Sequence, residues 1–175
     1  MEKAELNKSM HLSEHFTLGE VTKTSVKTAG ENIPSHVAIE NLKNLCENWL
    51  EDLRYSYNTL YPSCHLERSR EISPCASLSR DDNPIFITSG YRSPEVNRAV
   101  GGSPTSNHLT GCAVDIRCEG FEQALRYANI LMDISDGTKL DYDELFIERS
   151  KQGRYWIHFA VRPKDNRRKT AFIQT

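Results

Sequence analysis

Two histidines and one aspartate form the pattern in this sequence that most clearly predicts chemistry. His108 and Asp115 lie seven residues apart with Gly111 between them, and His158 follows much later in Trp156-Ile157-His158. Two imidazoles and one carboxylate supply three zinc ligands and leave the fourth tetrahedral position for water, as in catalytic rather than structural zinc sites. The pattern therefore predicts a catalytic metal site and a hydrolase.

The aspartate belongs to a predicted strand. Residues 112–118 alternate so that Cys112, Val114 and Ile116 share one face while Asp115 lies on the other, which is typical of a half-buried strand. We therefore expect Asp115 to face away from the hydrophobic core. Cys112, on the opposite face, is expected to be a small buried hydrophobe rather than a ligand or nucleophile.

The two histidines fall on other elements. His108 lies in the loop before this strand, and His158 lies in residues 155–161, which form a predicted hairpin with residues 145–149. Three secondary-structure elements must therefore converge to bring the ligands to one ion.

Helical patterns surround these strands. The apolar spacing predicts a helix from Ser35 to about Tyr57 and another from Phe121 to about Gly137, and Ser93-Pro94-Glu95 predicts a short helix to about Ala99. Residues 84–89 are β-branched and aromatic, as in a buried strand. Because helices and strands mix without regular βαβ alternation, the sequence favours a single α+β domain, 1–175, with a small, mainly antiparallel sheet.

Two segments look different from the rest. Residues 1–33 are polar, with Phe16, Leu18 and Val21 as the main apolar anchors, and they are predicted to form an extended arm with short local structure. Residues 62–83 are rich in serine, arginine and acidic residues and show no helical or strand period. Since loops beyond about 12–15 residues are uncommon in compact domains, we predict a disordered insert here.

Composition excludes several classes of partner. The 175 residues carry a formal net charge of -2, so electrostatics indicates neither nucleic acid nor an anionic membrane as a partner. No apolar run reaches the roughly 18 residues of a membrane helix, and the first residues lack the apolar core of a secretory signal. We expect a monomer without membrane insertion that is cytoplasmic as synthesised.

The cysteines do not suggest a disulfide framework. Five of them, an odd number, are widely spaced without a Cys-x-x-Cys pair, so reduced thiols are expected rather than disulfides or a thiolate metal cluster. The other histidines, including His11, His15, His36 and His65, lie in polar surroundings and are assigned no role.

The motifs around the ligands resemble a known family. Ser106-x-His108-x-x-Gly111-x-Ala113-x-Asp115, together with Trp156-x-His158 and the preceding Ile87-Thr88-Ser89-Gly90-Tyr91-Arg92-Ser93, is similar to the zinc D-alanyl-D-alanine carboxypeptidases and peptidoglycan peptidases of the M15 type. The small phage-related members of that family are the most similar. The resemblance implies a small antiparallel sheet flanked by helices, the hedgehog/DD-peptidase-like fold, with Zn²⁺ bound by His108, Asp115 and His158.

The general base is where this sequence departs from the pattern. Many relatives carry an acid three residues before the last histidine, where this chain has Tyr155. Glu148 in Leu145-Phe146-Ile147-Glu148 matches the glutamate of the phage-related branch and is our candidate base, with Glu144 as the reserve. The alternative is that Glu148 is a surface glutamate beside Arg149 or Arg154. A base must reach the attacking water directly or through one further water.

Two further residues are candidates for substrate binding. Arg92 follows Gly90 at a strand-to-helix turn, and a planar guanidinium suits a substrate carboxylate or a developing oxyanion. The alternative is a surface arginine paired with Glu95. Ser106 resembles the family's substrate-contacting serine, although a loop serine often bonds its own backbone.

These observations lead to one functional hypothesis and two alternatives. The first is a zinc peptidase that hydrolyses peptidoglycan stem peptides or other D-alanyl peptides at or next to D-alanine. The alternatives are a non-catalytic zinc-binding module, which the absence of an acid at Tyr155 allows, and a cytoplasmic D-Ala-D-Ala dipeptidase. For a cell-wall enzyme without a signal, a phage-type release route is the expected path to the wall.

Overall fold

A computed structural model describes residues 7–62 and 83–175. The predicted insert at 62–83 lies almost entirely outside the described residues, and so does the beginning of the predicted N-terminal arm. Among the described residues, none of the helices has both the length and the apolar character that crossing a membrane requires.

The centre of the fold is a five-stranded, mostly antiparallel sheet, as predicted. The strands are β1 (Ile87–Ser89), β2 (Ala113–Cys118), β3 (Glu144–Arg149), β4 (Tyr155–Ala160) and β5 (Lys169–Gln174). Their order is β1-β2-β4-β3-β5, and only the β3–β5 pair is parallel. The α+β class and the single domain are therefore confirmed.

The helices follow the apolar spacing closely. They are α1 (Leu18–Val21), α2 (His36–Leu45), α3 (Glu51–Leu60), α4 (Pro94–Ala99) and α5 (Phe121–Thr138). A π-helical turn, Cys46–Leu50, joins α2 to α3, so the predicted long helix exists but runs three residues beyond Tyr57. Ser35 and Ser93 accept hydrogen bonds from backbone N–H groups and cap α2 and α4, as their types predict.

One side of the sheet, the core face, packs against α5 and the α2–α3 pair. Five apolar side chains on this face are 0 % exposed: Val114, Ile116, Leu145, Ile157 and Phe159. Trp49 of the π-helical turn meets Phe159 with ring centroids 5.1 Å apart. Burial of these apolar side chains holds the strands in register.

The described part of the N-terminal arm packs into the same core. Phe16, Leu18 and Val21 are buried as expected, and Leu12 is buried with them. Thr17 and Glu20 form a capping box on α1. The arm is therefore anchored through its apolar residues, and Tyr91 donates its backbone N–H to the carbonyl of Val21 over 2.7 Å.

The fifth strand has no counterpart in the sequence-based prediction. Lys169–Gln174 alternates only weakly in polarity, and its residues are exposed or half-buried. Its parallel pairing with β3 depends on residues more than twenty positions apart. Local periodicity could not have indicated it.

Candidate metal centre

A short 3₁₀ turn, Asn107–Thr110, presents His108. Ser106 caps the turn and accepts a hydrogen bond from the backbone N–H of His108 over 3.3 Å. Gly111 ends the turn with φ +71°, and a Cβ there would lie 2.3 Å from the carbonyl oxygen of Ala38 in α2. Glycine is therefore required at this position both for its conformation and for the close approach.

A second glycine supplies the contact that holds the ring of His108. The carbonyl oxygen of Gly90 lies 2.6 Å from His108 Nδ1. A Cβ on Gly90 would lie 2.2 Å from the carbonyl oxygen of Val21, so the backbone can approach α1 only without a side chain. His108 itself is 2 % exposed.

The other two ligand candidates face each other across paired strands. Asp115 of β2 lies directly opposite His158 of β4, which lies opposite Phe146 of β3. Directly paired residues project from the same side of a sheet. We call this side, opposite the core face, the ligand face.

The alternation predicted for β2 is confirmed, and Asp115 faces away from the core as expected, although it is shielded from solvent. It is 7 % exposed, because Arg92 and the His108 turn cover this part of the ligand face. Cys112 is 2 % exposed and burial raises the pKa of its thiol, which agrees with the expected small buried hydrophobe.

Three side-chain atoms converge to a compact triangle. His108 Nε2 lies 3.3 Å from His158 Nδ1 and 3.3 Å from Asp115 Oδ1, and His158 Nδ1 lies 3.0 Å from Asp115 Oδ1. These three residues form a group that could hold a metal ion. The structure thus brings together the three candidates that the sequence separates by up to fifty positions.

In each member of the triangle, the polar atom that points away from the centre contacts a further partner. The Gly90 carbonyl engages His108 Nδ1, Glu144 Oε2 lies 3.4 Å from His158 Nε2, and Arg92 donates to Asp115 Oδ2. An acceptor on one imidazole nitrogen places the proton there and leaves the lone pair on the other. When both rings are neutral, His108 Nε2 and His158 Nδ1 therefore turn lone pairs toward the centre of the triangle.

The electrostatics of the triangle favour a cation. Burial alone would raise the pKa of Asp115, but its interactions with His108 and His158 outweigh burial and lower it. Burial alone would lower the pKa of His158, but hydrogen bonds to Asp115 and Glu144 raise it to about 9. The site stabilises positive charge, whether a proton or a metal ion supplies it.

Two glutamates flank His158 on β3, one on each side of Phe146. Glu144 lies opposite Ala160 and Glu148 opposite Trp156, so each is a diagonal neighbour of His158 on the ligand face. The ring of Phe146 stacks on that of His158 with centroids 5.7 Å apart.

Their surroundings differ. Glu144 accepts hydrogen bonds from Asn107 Nδ2 over 3.0 Å and from Arg167 Nη2 over 2.8 Å, and its pKa is lowered, most strongly by the hydrogen bond from His158. Glu148 is half-buried, and burial raises its pKa. Interactions with His158, Asp115 and Arg92 also act on the pKa of Glu148.

The position that holds an acid in many relatives points elsewhere. Tyr155 lies three residues before His158, and an odd number of steps along a strand leads to the opposite face. Tyr155 accordingly packs against Phe121 of α5, with ring centroids 5.5 Å apart. In this strand an acid at position 155 would face the helical layer.

Arg92 contacts the triangle rather than its sequence neighbour Glu95. Its Nε donates to Ser89 Oγ over 2.8 Å and its Nη2 donates to Asp115, whereas Glu95 accepts from the backbone N–H of Gly30. Arginine has five N–H donors, so these contacts leave donors available for a substrate. The substrate-binding roles of Arg92 and Ser106 stay predictions.

Sequence reasoning missed a network beside the site. Asp143 is 0 % exposed. Arg167 binds its carboxylate through two contacts of 2.7 Å, and Asn107 Nδ2 donates to it over 2.9 Å. The adjacency of Asn107 to His108 and of Asp143 to Glu144 was a visible signal, but nothing in the spacing pointed to Arg167.

Part of the chain matches a known protein family. Residues 76–144 match the Peptidase M15 family model. The match includes Arg92, Ser106, His108 and Asp115, and it ends before Glu148 and His158. It covers less than half of the chain and supports an M15-type peptidase. A search of curated proteins finds no significant match.

Proposed function

We propose that this protein is a zinc peptidase that hydrolyses peptidoglycan stem peptides at or next to D-alanine. His108, Asp115 and His158 bind the zinc ion, and Glu148 is the general base. The observation that carries the proposal is the triangle of His108 Nε2, Asp115 Oδ1 and His158 Nδ1.

The dimensions of the triangle support zinc. Zinc–ligand bonds of about 2.0–2.1 Å at tetrahedral angles separate neighbouring ligand atoms by about 3.3 Å. The three separations here are 3.0–3.3 Å. Two neutral imidazoles and one carboxylate leave one tetrahedral position for water or substrate, as in catalytic zinc sites.

Zinc in this site would act as a Lewis acid on the scissile carbonyl and on the attacking water. Glu148 accepts the proton of that water and returns it to the leaving amine. Its raised pKa suits this exchange better than the lowered pKa of Glu144, because a catalytic base works best when its pKa lies near the working pH. Arg92 fixes Asp115 and offers its remaining donors to a substrate carboxylate or to the developing oxyanion.

The choice of substrate rests on the resemblance together with the family match. The M15-type motifs around His108 and His158 suggest a D-alanyl peptide, and the position of Arg92 at the triangle is compatible with a carboxylate near the scissile bond. The exact bond, the monomeric state and release to the cell wall by a phage-type route remain parts of the proposal.

The proposal is tested by metal analysis together with digestion of purified muropeptides, followed by mass spectrometry of the products. Wild-type protein should contain about one zinc per chain and release D-alanine or cleave beside it. Glu148→Gln should keep the zinc but lose about 10²- to 10⁴-fold in kcat, the usual contribution of a general base. His108→Ala should lose both zinc and activity, whereas the matched surface variant Glu122→Gln should retain both.

Each other outcome of this experiment would contradict a specific part of the proposed function. Zinc-loaded wild type that leaves muropeptides intact would favour the non-catalytic binding module. Cleavage of the free D-Ala-D-Ala dipeptide without cleavage of muropeptides would favour the dipeptidase. Full activity in Glu148→Gln would remove Glu148 as the base.

A further inference from the structure

A network of polar side chains around the buried Asp143 joins both histidines of the triangle. Its centre is the neighbouring pair Asp143 and Glu144 at the start of β3. Asn107 Nδ2 donates to Asp143 Oδ2 over 2.9 Å and to Glu144 Oε2 over 3.0 Å. Because Asn107 immediately precedes His108, these hydrogen bonds fix the turn that carries His108 to the strand beside His158.

Arg167 completes the network from the segment that leads into β5. Its Nε and Nη2 grip Asp143 with two contacts of 2.7 Å, and Nη2 also donates to Glu144 Oε1 over 2.8 Å. The carboxylate of Glu144 is thus held by Arg167 on one oxygen and by Asn107 on the other. Its Oε2 then has a fixed position 3.4 Å from His158 Nε2.

We infer that Glu144 and Arg167 are positioning residues that orient the imidazole of His158 for metal binding. Glu144 holds the Nε2–H of His158, which keeps the lone pair of Nδ1 directed into the triangle. Arg167 acts one step further out, because it holds Glu144 in place. This inference rests on the proposed metal site, and it assigns Glu144 a role different from that of a reserve base.

Because Asp143 is buried, its pairing with Arg167 differs from an ordinary surface ion pair. Exposed ion pairs contribute little and are mobile, but Asp143 is 0 % exposed and anchors the guanidinium with bidentate geometry. The backbone N–H of Asp143 also donates to the carbonyl of Ala160 in β4 over 2.8 Å. The network is therefore attached rigidly to the strand that carries His158.

The neighbouring Arg168 provides a matched control. It belongs to the same segment and pairs with Asp136 and Asp141, with contacts of 2.7 and 3.3 Å. Neither of these two partners belongs to the triangle. Arg168→Met therefore removes an arginine and its ion pairs without touching Glu144.

The experiment measures zinc affinity by chelator competition and the visible absorption of the cobalt-substituted protein. Loss of a partner behind a metal ligand typically costs about 10- to 100-fold in metal affinity. We expect this loss in Glu144→Ala, and a smaller loss of about 10-fold in Arg167→Lys, which keeps the charge but lacks the fork. Glu144→Gln should recover most of the affinity because its carbonyl still accepts from His158 Nε2–H, and Arg168→Met should equal wild type.

The cobalt spectrum separates positioning from a general structural effect. Glu144→Ala should shift or weaken the tetrahedral cobalt bands, while its far-ultraviolet circular dichroism stays that of wild type. Wild-type affinity and an unchanged cobalt spectrum in Glu144→Ala would overturn the inference. Failure of the wild type itself to bind zinc or cobalt would instead refute the proposed metal site.

Discussion

Asp115 and Asp143 are both buried carboxylates, yet their oxygens are satisfied in opposite ways. Asp143 receives N–H donors on both oxygens, from Arg167 and Asn107. Asp115 receives Arg92 on Oδ2, but its Oδ1 faces the ring nitrogens of His108 and His158. Burial alone therefore does not identify a metal ligand. A metal ligand is instead identified by the convergence of several lone pairs on one point, where the other polar atom of each group has a partner of its own.

The largest expected effect concerns metal binding by Asp115. Asp115→Asn keeps an acceptor for Arg92 but loses the charge that a metal needs, so zinc affinity should fall by more than the roughly 100-fold upper cost of losing a supporting partner. Chelator competition measures the affinity, and circular dichroism of the metal-free variant checks that it is folded. The exposed Asp133→Asn on α5 serves as the control. Wild-type zinc affinity in Asp115→Asn would erase the distinction between the two aspartates.

The second prediction concerns stability at Asp143. Arg167→Met leaves a fully buried carboxylate without its main partner, which should lower the free energy of unfolding by about 3 kcal/mol, the lower end for a broken buried pair because Arg167 is half exposed. Asp143→Asn should cost less, since the freed guanidinium can be hydrated. Denaturant unfolding of both variants measures the difference. Equal losses of unfolding free energy in Arg167→Met and Asp143→Asn would contradict this prediction.

The smallest effect is a pH dependence that differs between the two sites. In the metal-free protein the pKa of His158 is raised from 6.5 to about 9. The stability that His158 contributes to the folded protein is therefore fully present below pH 6.5 and is lost as pH rises through 9. For Asp143 the pKa is lowered from 3.8, so its stabilisation is present above that value and is lost only as pH falls below it.

Calorimetry of zinc binding tests the raised pKa of His158. Below pH 9 zinc must displace the proton of His158, so binding at pH 7 should release about one proton. The number follows from the binding enthalpy in buffers of different ionisation enthalpy. The release should diminish above pH 9, and a pH-independent value would show that the triangle does not raise the pKa of His158.

Much of this arrangement followed from local patterns in the sequence. The serine caps and Pro94 predicted the starts of α2 and α4, and the alternation around Asp115 predicted which face of β2 it occupies. These predictions succeeded because helix and strand periods repeat within a few residues. The residue types suggested the ligand set and the motif resemblance supported it, and the structure brings its members together.

Contacts between distant residues were decided by the tertiary structure alone. The parallel pairing of β5 with β3, the Gly90 carbonyl behind His108 and the grip of Arg167 on Asp143 join segments about 18 to 25 residues apart. The burial of Asp115 on the ligand face also depends on such contacts, since Arg92 covers it from another element. The sequence by itself determined which residues have metal-binding chemistry and on which local elements they lie. Only the tertiary structure decided which atom of each ligand faces the metal site and which atom binds a supporting partner, because those partners come from other parts of the chain.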